Sequence, residues 1–188
     1  MSKFNFSLKD ARSTYTANYF QDPGTFEAVV RGWRHFVSRD KHDCFTAQLQ
    51  ITQSDNPRCP VGAVRDIFID VDDKKQMGPG KLKNFLIAGN GFSESLDSEL
   101  INNMSDEKWL ELLQLTLTQN TLLGNKVIVR AQSKLRQDAG KAAKDNPDLY
   151  DDEDFMKKNS YVAVAVEFHQ ETRDKLKQAQ PAPAPAKK

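Results

Sequence analysis

Cysteine is scarce in this sequence. Only Cys44 and Cys59 occur, and neither belongs to a Cys-x-x-Cys pair. That argues against a zinc site, and in a reducing compartment both are expected as free thiols. Long apolar runs are missing too. The longest, YVAVAV from Tyr161 to Val166, is too short to cross a bilayer. The opening MSKFNFSLKD lacks the apolar stretch of a signal peptide. A cytoplasmic protein without a membrane partner is the expectation. Excess charge of one sign is absent as well. The net charge is +1, so the total announces neither nucleic acid nor lipid. An apolar share of 38% in 188 residues suits one domain with a modest core and appendages.

Catalytic signatures are also lacking. Gly78-Pro79-Gly80-Lys81 lacks the spacing of a phosphate loop, and Leu82 stands where a hydroxyl should hold magnesium. His42 and Cys44 share a strand face but have no third group to activate them. Asp66, Asp70, Asp72 and Asp73, followed by Lys74, resemble the acid–lysine sets of magnesium-dependent nucleases. Asp72-Asp73 reads better as a turn, so a nuclease is the least favoured alternative. No enzyme activity and no cofactor are expected.

What is present is alternation. Strand one is predicted over Phe26–Val37, with Phe26, Ala28, Val30, Gly32 and Phe36 inward and Arg34 as the exception. Strand two, Asp43–Gln53, turns Phe45, Ala47, Leu49 and Ile51 inward, and SRDKH between the two suits a hairpin. Strand three is predicted over Val61–Val71, with Ile67, Ile69 and Val71 in phase. Helical spacing follows over Lys81–Ala88, then a second helix begins after an N-cap at Ser105, with Trp109 and five leucines on a wide stripe. Gly124 closes it. Strand four is predicted over Lys126–Gln132 and strand five over Ser160–Phe168.

Three strands, a helical insert and two strands predict a mainly β (α+β) fold. The expected architecture is a five-stranded OB-type Greek-key barrel with the insert between strands three and four. Residues 1–24, ending in Asp22-Pro23-Gly24, read as an N-terminal arm. Residues 25–170 read as the folded domain. Residues 171–188 read as a charged stretch and then a Pro/Ala-rich tail too poor in apolar surface to fold.

The total of +1 hides two opposed blocks. Lys126, Arg130, Lys134, Arg136, Lys141 and Lys144, against Asp138 alone, give residues 126–144 a net +5. Residues 145–154 hold six acids and no base, a net −6. The functional reading of the first block is an extended basic arm between strands four and five that displaces counterions from a nucleic-acid backbone. The second block reads more simply as a solvated run of charge. Strand one adds Arg31, Trp33 and His35 on the face expected to meet water, and strand two adds Gln48 and Gln50. Cations beside a flat ring are what single-strand binders use. The competing reading puts Trp33 beneath the Trp109 helix or the N-terminal arm.

GTFEAVVRGW, CFTAQLQIT, GPGKLKNFLIAGNGF, LLGNKVIVRAQSK and YVAVAVEF, in that order, resemble phage-encoded single-stranded-DNA-binding proteins of the OB-fold type. The resemblance spans roughly residues 24–168 and implies non-enzymatic binding of single-stranded DNA with little sequence preference, in replication or recombination. Replication or recombination proteins and further copies of the chain are candidate protein partners. The ending PAPAPAKK departs from the acidic tail of many such proteins. A protein-interaction accessory module is the alternative.

Overall fold

A computed structural model describes residues 17–71 and 77–179. Five strands form one antiparallel sheet: β1 (Gly24–Val37), β2 (Asp43–Ser54), β3 (Val64–Val71), β4 (Lys126–Leu135) and β5 (Ser160–Phe168). Their spatial order is β3-β2-β1-β4-β5. The sheet is not closed into a barrel, so β3 and β5 are edges. Between β3 and β4 lie α1 (Met77–Gly89), α2 (Ser98–Asn102) and α3 (Asp106–Thr118). Between β4 and β5 lie α4 (Gln137–Asp145), a 3-10 turn (Pro147–Tyr150) and α5 (Glu153–Asn159), and α6 (Gln170–Ala179) follows β5.

Alternation produces the core as expected over most of the sheet. Phe26, Ala28 and Val30 of β1, Phe45, Ala47, Leu49 and Ile51 of β2, and Val127, Val129 and Ala131 of β4 are all buried. Phe85 and Leu86 of α1 and Leu122 close over them. Helix α1 packs against both β3 and β5 and spans the gap between the two edges. Ser105 caps α3, its hydroxyl accepting from the Lys108 amide, which satisfies one of the helix's free N–H groups. Gly124, at φ +81°, turns the chain into β4 with the left-handed backbone that glycine adopts without steric cost.

Strand one departs from the expected phase. Val30 faces Leu49 and Gly32 faces Gln48, so Arg31 is an extra residue with no partner on β2. Such a bulge flips the side-chain alternation of everything after it. Trp33 therefore turns inward with Phe26, Ala28 and Val30, and Phe36, expected inside, turns out and is 46% exposed. Arg34, the expected exception, is simply on the open face.

The segment between β4 and β5 is also not an extended arm. Residues 137–159 fold into two short helices and a turn. Ala139 and Ala143, four apart, form the buried side of α4, and Asp152 caps α5 by accepting from the Phe155 amide. Three of the six acids of the negative block, Asp152, Glu153 and Asp154, thus sit at the positive end of a helix, where carboxylates are favoured. The charged stretch after Phe168 is α6, docked on β4. Thr172 Oγ1 accepts from the Lys126 amide and donates to its carbonyl, both at 2.8 Å, and Arg173 pairs with Asp97. The arm's first sixteen residues and the Pro/Ala tail lie outside the described residues.

Candidate nucleic-acid interface

The structure separates Arg31, Trp33 and His35. Trp33 is 5% exposed. Its indole lies between the rings of Phe45 and Phe85, with centroids 5.4 and 4.9 Å away and nearly parallel planes. Ala47 opposite it on β2 leaves room for the indole. Its Nε1 donates to Thr116 Oγ1 of α3 at 3.1 Å, which satisfies the one polar atom that burial would otherwise orphan. This indole cannot stack on a nucleic-acid base, so the expected outward platform built on Trp33 is corrected. His35 sits at the rim of the same side, its ring 4.9 Å from Phe45 and its Nε2 2.7 Å from Asp43 Oδ1. Arg31 alone of the three is on the open face, where Nε donates to Gln50 Oε1 at 2.8 Å.

That open face carries a different aromatic pair. In β1–β2–β3 register, Arg34, Thr46 and Phe68 form one row, and Phe36, Cys44 and Asp70 the next. The rings of Phe36 and Phe68 are 6.3 Å apart and are 46% and 42% exposed. Arg34 is exposed in the same row as Phe68, Arg31 is exposed further along β1, Gln48 and Gln50 are half-buried on the same face, and Arg39 and Lys41 are exposed on the β1–β2 turn. Two half-exposed rings flanked by guanidinium groups offer stacking surface and phosphate donors together. Sequence reasoning missed Phe36, Phe68, Arg34, Arg39 and Lys41. The signal for Phe68 was available, since it alternates with Ile67 and Ile69. The signal for Phe36 was the run Gly32, Arg34, which broke the inward pattern just before it.

The basic block divides in two. Lys126 is ion-paired to Glu171 of α6, and Arg130 Nε lies 2.7 Å from Glu167 of β5. Both cations are held above their ordinary pKa, chiefly by the hydrogen bond to that carboxylate. Lys134, Arg136, Lys141 and Lys144 are exposed and have no carboxylate partner among the described residues. They belong to a hairpin that runs past Gly24, where β4 meets the start of β1. Phe36 stands at the other end of β1, so the ladder does not bring the block to the aromatic pair.

The acid–lysine set does not assemble among the described residues. Asp66 is buried, its Oδ2 accepting from the Asn18 amide at 2.7 Å. Asp70 lies near His42 Nδ1 at 3.5 Å and accepts from the Cys44 thiol at 3.8 Å. No group of three His, Cys, Asp or Glu suited to a metal occurs among the described residues. Asp72, Asp73 and Lys74 lie outside them. Cys44 and Cys59 are free and buried, and burial pushes both thiols up. None of the described helices is long and apolar enough to cross a membrane.

Comparison with protein-family models and with curated proteins finds no match.

Proposed function

We propose that the chain binds single-stranded DNA without catalysis and with little sequence preference, on the open face of β1–β3. The exposed Phe36–Phe68 pair, with Arg34 in the row of Phe68 and Arg31 further along the same face, carries this reading. A flat ring accepts any base, and a guanidinium accepts any phosphate, so the pairing binds strands without reading them. Gln48 and Gln50 stand within the same face and can bond base edges. The strand order supports an OB-type Greek-key barrel opened between β3 and β5, with the helical insert in the expected place. In that fold the outer face of strands two and three holds oligonucleotides. A setting in replication or recombination follows from the resemblance of the sequence.

Titration of labelled oligo-dT at several salt concentrations tests the proposal. Affinity should fall steeply with salt, and Phe36→Ala with Phe68→Ala should weaken it at every salt. No binding at low salt, or binding indifferent to both phenylalanines, would remove this reading. A second reading, a protein-interaction accessory module, is favoured by Leu96, Leu100 and Leu110 of the insert, which are 66%, 52% and 65% exposed. Retention of a protein partner that depends on these leucines, with no DNA binding, would select it.

A further inference from the structure

A closed barrel of this strand order would pair β3 with β5. Here the two edges stay apart, and a cleft of about 320 Å³ lies at the seam, near the lower end of the range for ligand pockets, roughly 300–1,000 Å³. Phe20, Ile67 and Phe85 line it from the core. Three exposed rings also line it, each from a different element. Phe68 belongs to β3, Tyr161 to β5 and Tyr19 to the arm before β1. The two tyrosines are 44% and 45% exposed. Tyr19 is fixed there by its neighbour. The Asn18 carbonyl accepts from the Asp66 amide at 2.9 Å, and the Asn18 amide donates to Asp66 Oδ2 at 2.7 Å. Tyr19 bridges Asp66 in parallel register, so the row Gly32, Gln48, Asp66 ends in a tyrosine.

Charge at the seam is balanced. Among the described residues lining the cleft, Asp66 and Lys81 alone are charged at neutral pH. Just outside it, Lys134 stands opposite Tyr161 on β4, and Asp70 lies two residues past Phe68 beside His42. A phosphate gains little in such a place, whereas a flat uncharged ring gains apolar and stacking contact. A peptide strand is also a poor fit, because the free edge of β3 is taken at both ends. Asn18 holds the Asp66 amide, and α1 sits so close that a Cβ on Gly78 would overlap the Asp70 carbonyl.

We propose that the seam between β3 and β5 takes one base of a bound single strand against the rings of Tyr19 and Tyr161. The inference rests on the single-strand reading above and deepens it. Phe68 belongs to both surfaces, so a strand lying on Phe36 and Phe68 passes directly into the cleft. The site exists because the sheet is open, and the arm before β1 completes it by supplying Tyr19. Its ligand is the base and not the backbone, which separates it from every cation on the molecule.

The test uses the full-length chain and labelled oligo-dT of about 16 nucleotides, the upper site size for one such fold. Tyr19→Leu and Tyr161→Leu should each weaken binding about tenfold, the loss of one stacked base. The log–log salt slope should not change, because no phosphate contact is removed. Tyr19→Phe and Tyr161→Phe should bind as the unsubstituted protein does. A second measurement does not depend on any variant folding. Oligo-dT carrying iododeoxyuridine, irradiated on the unsubstituted protein, should cross-link to Tyr19 or Tyr161, read by mass spectrometry of the digest. Affinity that ignores both leucine substitutions, or cross-links confined to other residues, overturns the seam site. If Phe36→Ala and Phe68→Ala still weaken binding in that case, the reading of the open face stands without it. Failure of the unsubstituted protein to bind the oligonucleotide at low salt overturns both.

Discussion

The open face of β1–β3 and the β4–β5 hairpin both combine aromatic rings with cations, but they obtain them differently. On the sheet, a bulge at Arg31 selects which side chains face water, and the strand ladders hold them in rows. On the hairpin, Glu167 and Glu171 pair with Arg130 and Lys126, while Lys141 and Lys144 of α4 are exposed and have no carboxylate partner among the described residues. The lesson is that neither an aromatic nor a charge counts toward a surface until the fold has placed it. Trp33 and Phe36 are three residues apart on one strand, and one is core while the other is surface. Lys126 and Lys141 belong to one basic block, and one is paired while the other has no carboxylate partner among the described residues.

The largest effect expected is on stability. Trp33→Ala removes an indole packed between two rings and bonded to Thr116, and should cost about 3–5 kcal/mol in denaturant unfolding. The fraction still folded should bind DNA as before, and Trp33 fluorescence should not respond to a bound strand. Loss of binding in folded Trp33 variants with Phe36 and Phe68 intact would break the contrast between core and surface.

Next comes the anchor of α6, which supplies Glu171 to Lys126. Arg173 hydrogen-bonds Asp97 and holds its carboxyl below the ordinary value of 3.8. A depressed carboxyl stabilises the fold fully above its unfolded value, and the gain is lost as pH falls through the folded one. Asp97→Asn should therefore cost roughly 3 kcal/mol at neutral pH, because it leaves Arg173 largely buried without its partner. The gap from the unsubstituted protein should narrow in acid. Thermal unfolding at several pH values measures both.

Phe36→Ala and Phe68→Ala should each cost about 1–3 kcal/mol in binding, with stability changed by less than about 1 kcal/mol. Anisotropy titration beside a melting curve separates the two quantities. The smallest effect is expected from Glu167→Gln, which frees Arg130. Affinity should rise slightly and its salt dependence steepen, and an unchanged slope would show that Arg130 is unavailable even when unpaired.

Much of this was legible in the chain itself. Ser160–Phe168 has the bounds expected of strand five, β2 runs one residue past its expectation, and Ser105 caps α3 as its chemistry dictates. Local rules suffice there, because alternation and capping depend on neighbours within a few residues. Trp33 was not legible, because a bulge is a relation between two strands, and the extra residue is visible only once Val30 is set against Leu49. Helices α4 and α5 were missed because their sequence is dominated by charge and small residues. Their apolar contacts are few, and Ala139 and Ala143 gain a buried side only when the hairpin brings β4 and β5 together.

The sequence by itself determined the number and order of strands, the place of the helical insert and the presence of two opposed charge blocks, since composition and periodicity are properties of a line of residues. Only the tertiary structure decided which aromatic meets water, which cations of the basic block pair with carboxylates and that the sheet stays open between β3 and β5. Each of those depends on register and on distances between residues far apart in the chain, which no local pattern encodes.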